Sequence, residues 1–263
     1  MTQKKYRKKK MRSFWIRMIL TLIVLVLMCG TGYYFVFRSP LFRVKAIQIE
    51  GVSRLEQDVV AALSEIKLGD QFYGSSLKQA AEKVESHPYI RDAILTRKGF
   101  STINIVVRER EEYAIIPYMG SYIYLDQERV VLNVTDGILD SNLCLVTGIK
   151  FISFQTGDTA LVQNEESLET AYQILGAARE AEILEMISEI NIDETGQVKV
   201  VTFNGIEALF GYMDNPAYSV LALKEALITL HTRNMNSVII DMRYEGHITV
   251  QDRARQEDED DKP

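Results

Sequence analysis

Histidine, cysteine and carboxylate side chains carry most enzymatic chemistry, and in this chain they are scattered. His87, His231 and His247 lie in separate segments at no metal-ligand spacing, without a CxxC or HExxH pair. Cys144 has no histidine placed to activate it, and Cys29 falls inside an apolar run, so a small buried residue is the expected role of Cys144. No GxSxG, SxxK or glycine-rich phosphate loop occurs. Glu109, Asp126 and Asp241 flank expected strands, and nothing marks one of them as an acid of raised pKa. They are expected to be solvated or ion-paired. The chain therefore reads as non-enzymatic, with no catalytic, metal-binding or cofactor-binding residue and no cofactor.

What remains is recognition, and its clearest pattern lies near the C-terminus. Val238, Ile240, Met242, Tyr244, Ile248 and Val250 share one parity, whereas Ile239, Asp241, Arg243, Glu245, His247, Thr249 and Gln251 share the other, all but Ile239 being polar. Such alternation predicts one long strand over 238–251 with a buried face and a wet face. Gly246 interrupts it, as at a bulge or where another backbone approaches closely. At a sheet edge, the strand's free N–H and C=O groups would template a partner's strand. In the interior, it would have only an ordinary solvent face.

The elements that position this strand begin at a membrane. Eight basic residues, from Lys4 to Arg17, precede an uncharged run from Met18 to Phe37. A helix rises about 1.5 Å per residue, so roughly 20 residues cross a hydrocarbon core of roughly 30 Å. A signal peptide's apolar core is shorter, at about 7–15 residues. The run here is longer and ends in Tyr33-Tyr34-Phe35-Val36-Phe37, with Trp15 at its other end, as interfacial aromatic belts require. An uncleaved anchor is expected, its basic flank (1–17) cytoplasmic, its span at 18–38 and the remainder outside the cell membrane. Setting the eight basic residues aside from a total of 30 leaves 22 Lys and Arg against 36 Asp and Glu, a balance near −14. So acidic an ectodomain argues against nucleic acid as a partner. With Cys144 as its one cysteine, the ectodomain has no intrachain disulfide available and must be stabilised by burial.

Beyond Ser39-Pro40, Val44 to Glu50 reads as a strand ended by Gly51. Ser53-Arg54-Leu55-Glu56 has capping-box spacing, and Val59, Ala62, Leu63 and Ile66 follow with helical period. A second helix begins near Ser75-Ser76 and stops at His87-Pro88. Two strands follow, Ile90 to Arg97 and Thr102 to Arg108, joined by Lys98-Gly99. The order is β-α-α-β-β. The rest reads as mainly β with two helices: a hairpin about Gln127-Glu128-Arg129, a short strand at 143–148, a helix at 167–182, three strands over 187–210, and a helix opened by Asn215-Pro216. The fold class is α+β, comprising an anchor, a module over 42–111 and a β domain over 112–251. An acidic tail at 252–263 is too polar to bury itself.

The residues Val44-x-x-Ile47-x-Ile49-x-Gly51, Leu68-Gly69, His87-Pro88-Tyr89-Ile90-Arg91-Asp92-Ala93, Arg97 and Thr102-Ile103-x-Ile105-x-Val107-x-Glu109-Arg110 resemble the POTRA domain of the DivIB/FtsQ family of division proteins. Phe100 and Glu112 stand where that family has prolines. The resemblance implies a bitopic divisome scaffold at the septum. It would bind the DivIC (FtsB-like) and FtsL coiled-coil proteins outside the membrane and couple them to septal peptidoglycan synthesis. It also implies, by position, that Arg243, Tyr244 and Gly246 contact the partner. Alternatives are a POTRA-bearing envelope transport or assembly factor and an anchored cell-wall hydrolase.

Overall fold

The computed structural model describes residues 3–38, 42–74, 76–139, 143–213, 215–233, 235–244 and 247–252. Helix α1 (Gln3–Arg38) contains Phe14–Phe35, a stretch of mean hydropathy 2.2 with none of it buried inside the protein. It is long and apolar enough to cross a membrane. Beyond it the chain divides into two compact units, which part between Glu109 and Arg110.

In the first unit, β1 (Ala46–Glu50), α2 (Gln57–Ser64), α3 (Leu77–Glu85), β2 (Ile90–Lys98) and β3 (Thr102–Glu109) follow in the expected order. The strands form a sheet in the order β1-β3-β2, with β1 parallel to β3 and β2 antiparallel to it. Alternation puts Ile103, Ile105 and Val107 on one face, where Val60, Ala80 and Val84 from the two helices bury them. Ser76 caps α3 by accepting a hydrogen bond from the Gln79 N–H.

The capping box read at Ser53–Glu56 is not formed. Helix α2 starts at Gln57, and Glu56 makes no side-chain cap. The loop's donors go instead to Glu109 at the end of β3. Its Oε2 accepts from Ser53 N (3.1 Å), Ser53 Oγ (2.9 Å) and Arg54 N (2.9 Å), and its Oε1 accepts from Leu55 N (2.9 Å). Partial burial raises this carboxyl's pKa, but the hydrogen bonds from Leu55, Arg54 and Ser53 outweigh burial and hold it below the usual carboxylate range. Just before this loop, Gly51 has φ +87°, and a Cβ there would collide with the Val107 carbonyl oxygen.

The second unit is one large sheet with two helices. Among the described residues, nine strands take the order β14-β13-β12-β11-β10-β7-β4-β5-β6. They are β4 (Ala114–Tyr118), β5 (Ser121–Leu125), β6 (Val131–Thr135), β7 (Leu145–Thr147), β10 (Ile187–Ile192), β11 (Val198–Thr202), β12 (Glu207–Gly211), β13 (Val238–Tyr244) and β14 (His247–Asp252). A separate short pair joins β8 (Phe151–Ser153) to β9 (Leu161–Val162). Strand β4 escaped the sequence reading because Ala114, Ile115 and Ile116 are all buried, so no alternation marks it. Helix α4 (Glu165–Glu180) starts two residues earlier than expected, capped by Asn164, whose side chain accepts from Ser167 N. Helix α5 (Pro216–Thr232) opens as expected, with Asn215 accepting from Tyr218 N and proline in the first turn. Ala171, Ile174 and Leu175 of α4 and Val220, Leu223 and Leu227 of α5 share a core with Ile190, Val200 and Ala208 of the sheet.

Two predictions follow from these positions. Replacing Glu109 with Gln removes a charged acceptor of several hydrogen bonds and should cost about 1–2 kcal/mol at neutral pH. Hydrogen exchange of peptides spanning 46–50 and 102–109 should then quicken roughly 5–30-fold. Because the folded pKa lies below the unfolded one, this contribution is complete above the unfolded carboxylate pKa of about 4.3. It vanishes as pH falls through the folded value, so wild type and variant should converge in acid. The second position is Gly148, with φ +87°, where a Cβ would run into the Ile192 carbonyl. Gly148→Ala should destabilise the second unit by on the order of 2–4 kcal/mol. Thermal unfolding of the purified chain checks this, and an unchanged midpoint would refute the close approach.

Candidate functional site

Several of the reactive side chains singled out in the sequence are engaged structurally. His87 ends the α3 turn, its Nδ1 accepting from Tyr89 N (3.3 Å), and burial holds its pKa below the ordinary value against the opposing pull of Glu109. Cys144 is buried, and desolvation pushes its thiol up to about 12, which favours the neutral thiol at neutral pH. Asp126 is buried and paired with Arg110, and its Oδ1 accepts from Glu128 N and Val130 N at 2.8 Å, which holds the β5–β6 turn. His231 and His247 are exposed on different elements. Among the described residues no three His, Cys, Asp or Glu side chains converge as a metal site would need.

A surface hollow of about 490 Å³ lies against α4. Its floor is a row of stacked groups, with Arg179 over Tyr113 (4.5 Å to the ring centre), Tyr113 beside Tyr172 (5.5 Å) and Arg129 over Tyr172 (5.4 Å). The Tyr172 hydroxyl donates to the Asp126 carbonyl (2.9 Å), and Arg129 pairs with Glu165 and Glu169. These groups fasten the β5–β6 turn to α4 and leave no acid–base or nucleophile–base pair.

The C-terminal segment departs from its sequence reading. It is a hairpin of β13 and β14, in place of a single strand over 238–251. The pairs are Val238 with Asp252, Ile239 with Gln251, Ile240 with Val250 and Asp241 with Thr249, followed by a register shift before Tyr244 meets His247. The pairs before the register shift share parity, so folding the segment back keeps Val238, Ile240 and Val250 on the same face. Alternation alone could not separate the two arrangements.

Strand β13 is parallel to β12, with α5 as the crossover between them, and this places β14 at the end of the sheet. Val238 and Ile240 are buried in the core to which α5 contributes, but Ile248 and Val250, on the same face one strand further out, are 50% and 41% exposed. Among the described residues, β14 has no strand on its outer side. The opposite end is treated differently. There Val131 N donates to Asp158 O (2.9 Å), Gly157 N donates to Val131 O (2.8 Å) and Ala160 N donates to Arg129 O (3.0 Å), so a loop covers the start of β6.

Of the residues nominated for partner contact, Tyr244 ends β13 with 70% of its surface exposed. Arg243 is exposed beside it and is held by Asp241, through Nε to Oδ1 (2.9 Å) and a terminal nitrogen to Oδ2 (2.6 Å). Those hydrogen bonds hold the Asp241 carboxyl below its ordinary pKa, against a small opposing effect of burial. Gly246 lies outside the described residues. The sequence reading missed Ile248 and Val250 as exposed groups, because their alternation marks a buried face and only their place at the sheet's end uncovers them.

Comparison with known proteins agrees with this architecture. Residues 42–110 match the family described as POTRA domain, FtsQ-type. The chain is 21% identical to cell division protein DivIB of Clostridium botulinum over 251 residues, which cover 92% of each protein. It is 22% identical to DivIB of Clostridium tetani, covering 88% of this chain and 85% of the relative. With cell division protein FtsQ of Syntrophotalea carbinolica it shares 25% identity, covering 80% of this chain and 74% of the relative. The major extracytoplasmic domain of DivIB from Geobacillus stearothermophilus superposes with a TM-score of 0.30 at 17% identity, covering 49% of this chain and 98% of that one, too loosely to bear on the assignment. Residues 42–110 thus match an FtsQ-type POTRA domain, and over most of its length the chain is similar to the DivIB and FtsQ cell division proteins.

Proposed function

We propose that this protein is a non-enzymatic scaffold of the division machinery, held at the septum by its single span. In this reading the basic arm lies in the cytoplasm and both folded units lie outside, as the retention of Lys and Arg on the cytoplasmic side supports. The scaffold holds DivIC (FtsB-like) and FtsL-like coiled-coil proteins and so couples them to septal peptidoglycan synthesis. Kinship with proteins named for cell division supports the cellular role.

The observation that carries the recognition mechanism is the open outer edge of β14 with Ile248 and Val250 exposed beside it. Unpaired N–H and C=O groups supply affinity to an added strand, and side chains along the edge supply specificity. Arg243 and Tyr244 end β13, where the partner chain would pass, and Gly246 is kept as a contact on the family resemblance alone. Both proteins are anchored in one membrane, which raises their effective concentration, so modest contacts suffice.

Because Arg243 is paired with Asp241, reversing its charge would also set two carboxylates side by side, so truncation is the cleaner change. Arg243→Ala with Tyr244→Ala should lower capture of the DivIC-like protein in a pull-down about tenfold or more, two contact residues at about 1 kcal/mol each. Ile248→Lys with Val250→Lys should lower it as well by charging the strand edge. Full capture by both folded variants would reject the hairpin as the binding site. A clearing zone from the purified chain in zymography would reject the non-enzymatic reading.

A further inference from the structure

The end of the POTRA module nearest the anchor has the chemistry of a membrane interface. Helix α1 ends at Arg38, and four Cα steps at no more than about 3.6 Å place Phe42 within roughly 14 Å of it, whatever the path between. Phe42 is the centre of an aromatic cluster, its ring 5.9 Å from Tyr73 and 6.2 Å from Phe100. Tyr73 is 46% exposed and Phe100 69%, and Leu68 on the adjoining loop is 67% exposed.

The fold brings these groups together from three separate stretches. Phe72 N donates to Phe42 O (2.9 Å), Gly69 N to Val44 O (2.8 Å) and Lys45 N to Ser101 O (2.7 Å). These bonds tie the lead into β1, the 67–73 loop and the β2–β3 turn into one end of the sheet.

The charges at this end are basic. Arg43, Lys45, Lys67, Arg97 and Lys98 are all exposed there. Arg97 lies over the rings of Phe72 and Tyr73 at 5.8 Å from each centre. The acid of the group, Asp70, turns its carboxylate back onto Lys67 N (2.8 Å). A basic patch on an ectodomain with a balance near −14 is the reverse of what composition distributes at random.

Exposed rings interleaved with Lys and Arg, tethered within reach of the headgroups, match the groups that sit at a lipid–water boundary. We propose that the POTRA module docks on the membrane from which its anchor emerges, with Phe42, Tyr73 and Phe100 at headgroup depth and the five cations on lipid phosphates. This rests on the anchor and is independent of the septal reading. Docking would fix the module's orientation to the bilayer.

The full chain, reconstituted alone in vesicles of phosphatidylcholine and phosphatidylglycerol, tests the proposal. Its single tryptophan, Trp15, is replaced through Trp15→Phe. Reporters are then introduced as Phe100→Trp or, at the far end of β1, as Glu50→Trp. The Phe100→Trp reporter should emit further to the blue and be quenched severalfold more by lipids with brominated acyl chains than the Glu50→Trp reporter. Adding Lys45→Glu with Lys98→Glu, or raising the salt, should bring it down to the Glu50→Trp level. Equal, water-like emission from both reporters overturns the docking. Quenching that survives both the charge reversal and high salt overturns the phosphate contact.

Discussion

Backbone hydrogen bonding is the constraint on which the second unit is built. Each interior strand of its sheet has a partner on either side, and the ends must be treated separately. At β6 the segment 157–160 folds over the strand's start and takes up its free groups. At β14 nothing among the described residues does so, although the strand's apolar side chains lie on the core face. The sheet covers one end and leaves the other open, and this asymmetry gives the molecule a direction.

The carboxylates that suggested chemistry are spent on holding loops. Glu109 gathers the N–H groups of the β1–α2 loop, Asp126 closes the β5–β6 turn with Arg110, and Asp241 holds Arg243 at the end of β13. In each case a charged acceptor meets donors that the strands and helices leave unsatisfied, which is where charge-assisted bonds stabilise most. An acidic chain whose two cysteines are free thus uses part of its negative charge as internal fastening.

Four residue steps separate the end of α1 from Phe42, and exposed rings and cations gather at that end of the first unit. Confinement to a surface converts weak contacts into stable assembly, because partners on the same membrane need not search the surrounding volume. The edge at β14 lies in the unit further along the chain from α1.

Residue order alone determined the anchor, the β-α-α-β-β order, the Asn215-Pro216 helix start and the strands over 187–210, because these rest on local periodicity and capping within a few residues. It also determined that the reactive groups form no motif. Tertiary structure alone decided that 238–251 is a hairpin, since residues paired before the register shift share parity and a two-residue period cannot report a reversal. It decided the fate of Glu109, whose donors stand more than fifty residues away in sequence, and it showed that Glu56 caps nothing. Strand β4 became visible only once both of its faces were covered. The exposure of Ile248 and Val250 depends on strand order, which is set by the α5 crossover and by the backbone bonds of β13. Such long-range pairing leaves no local trace in the sequence.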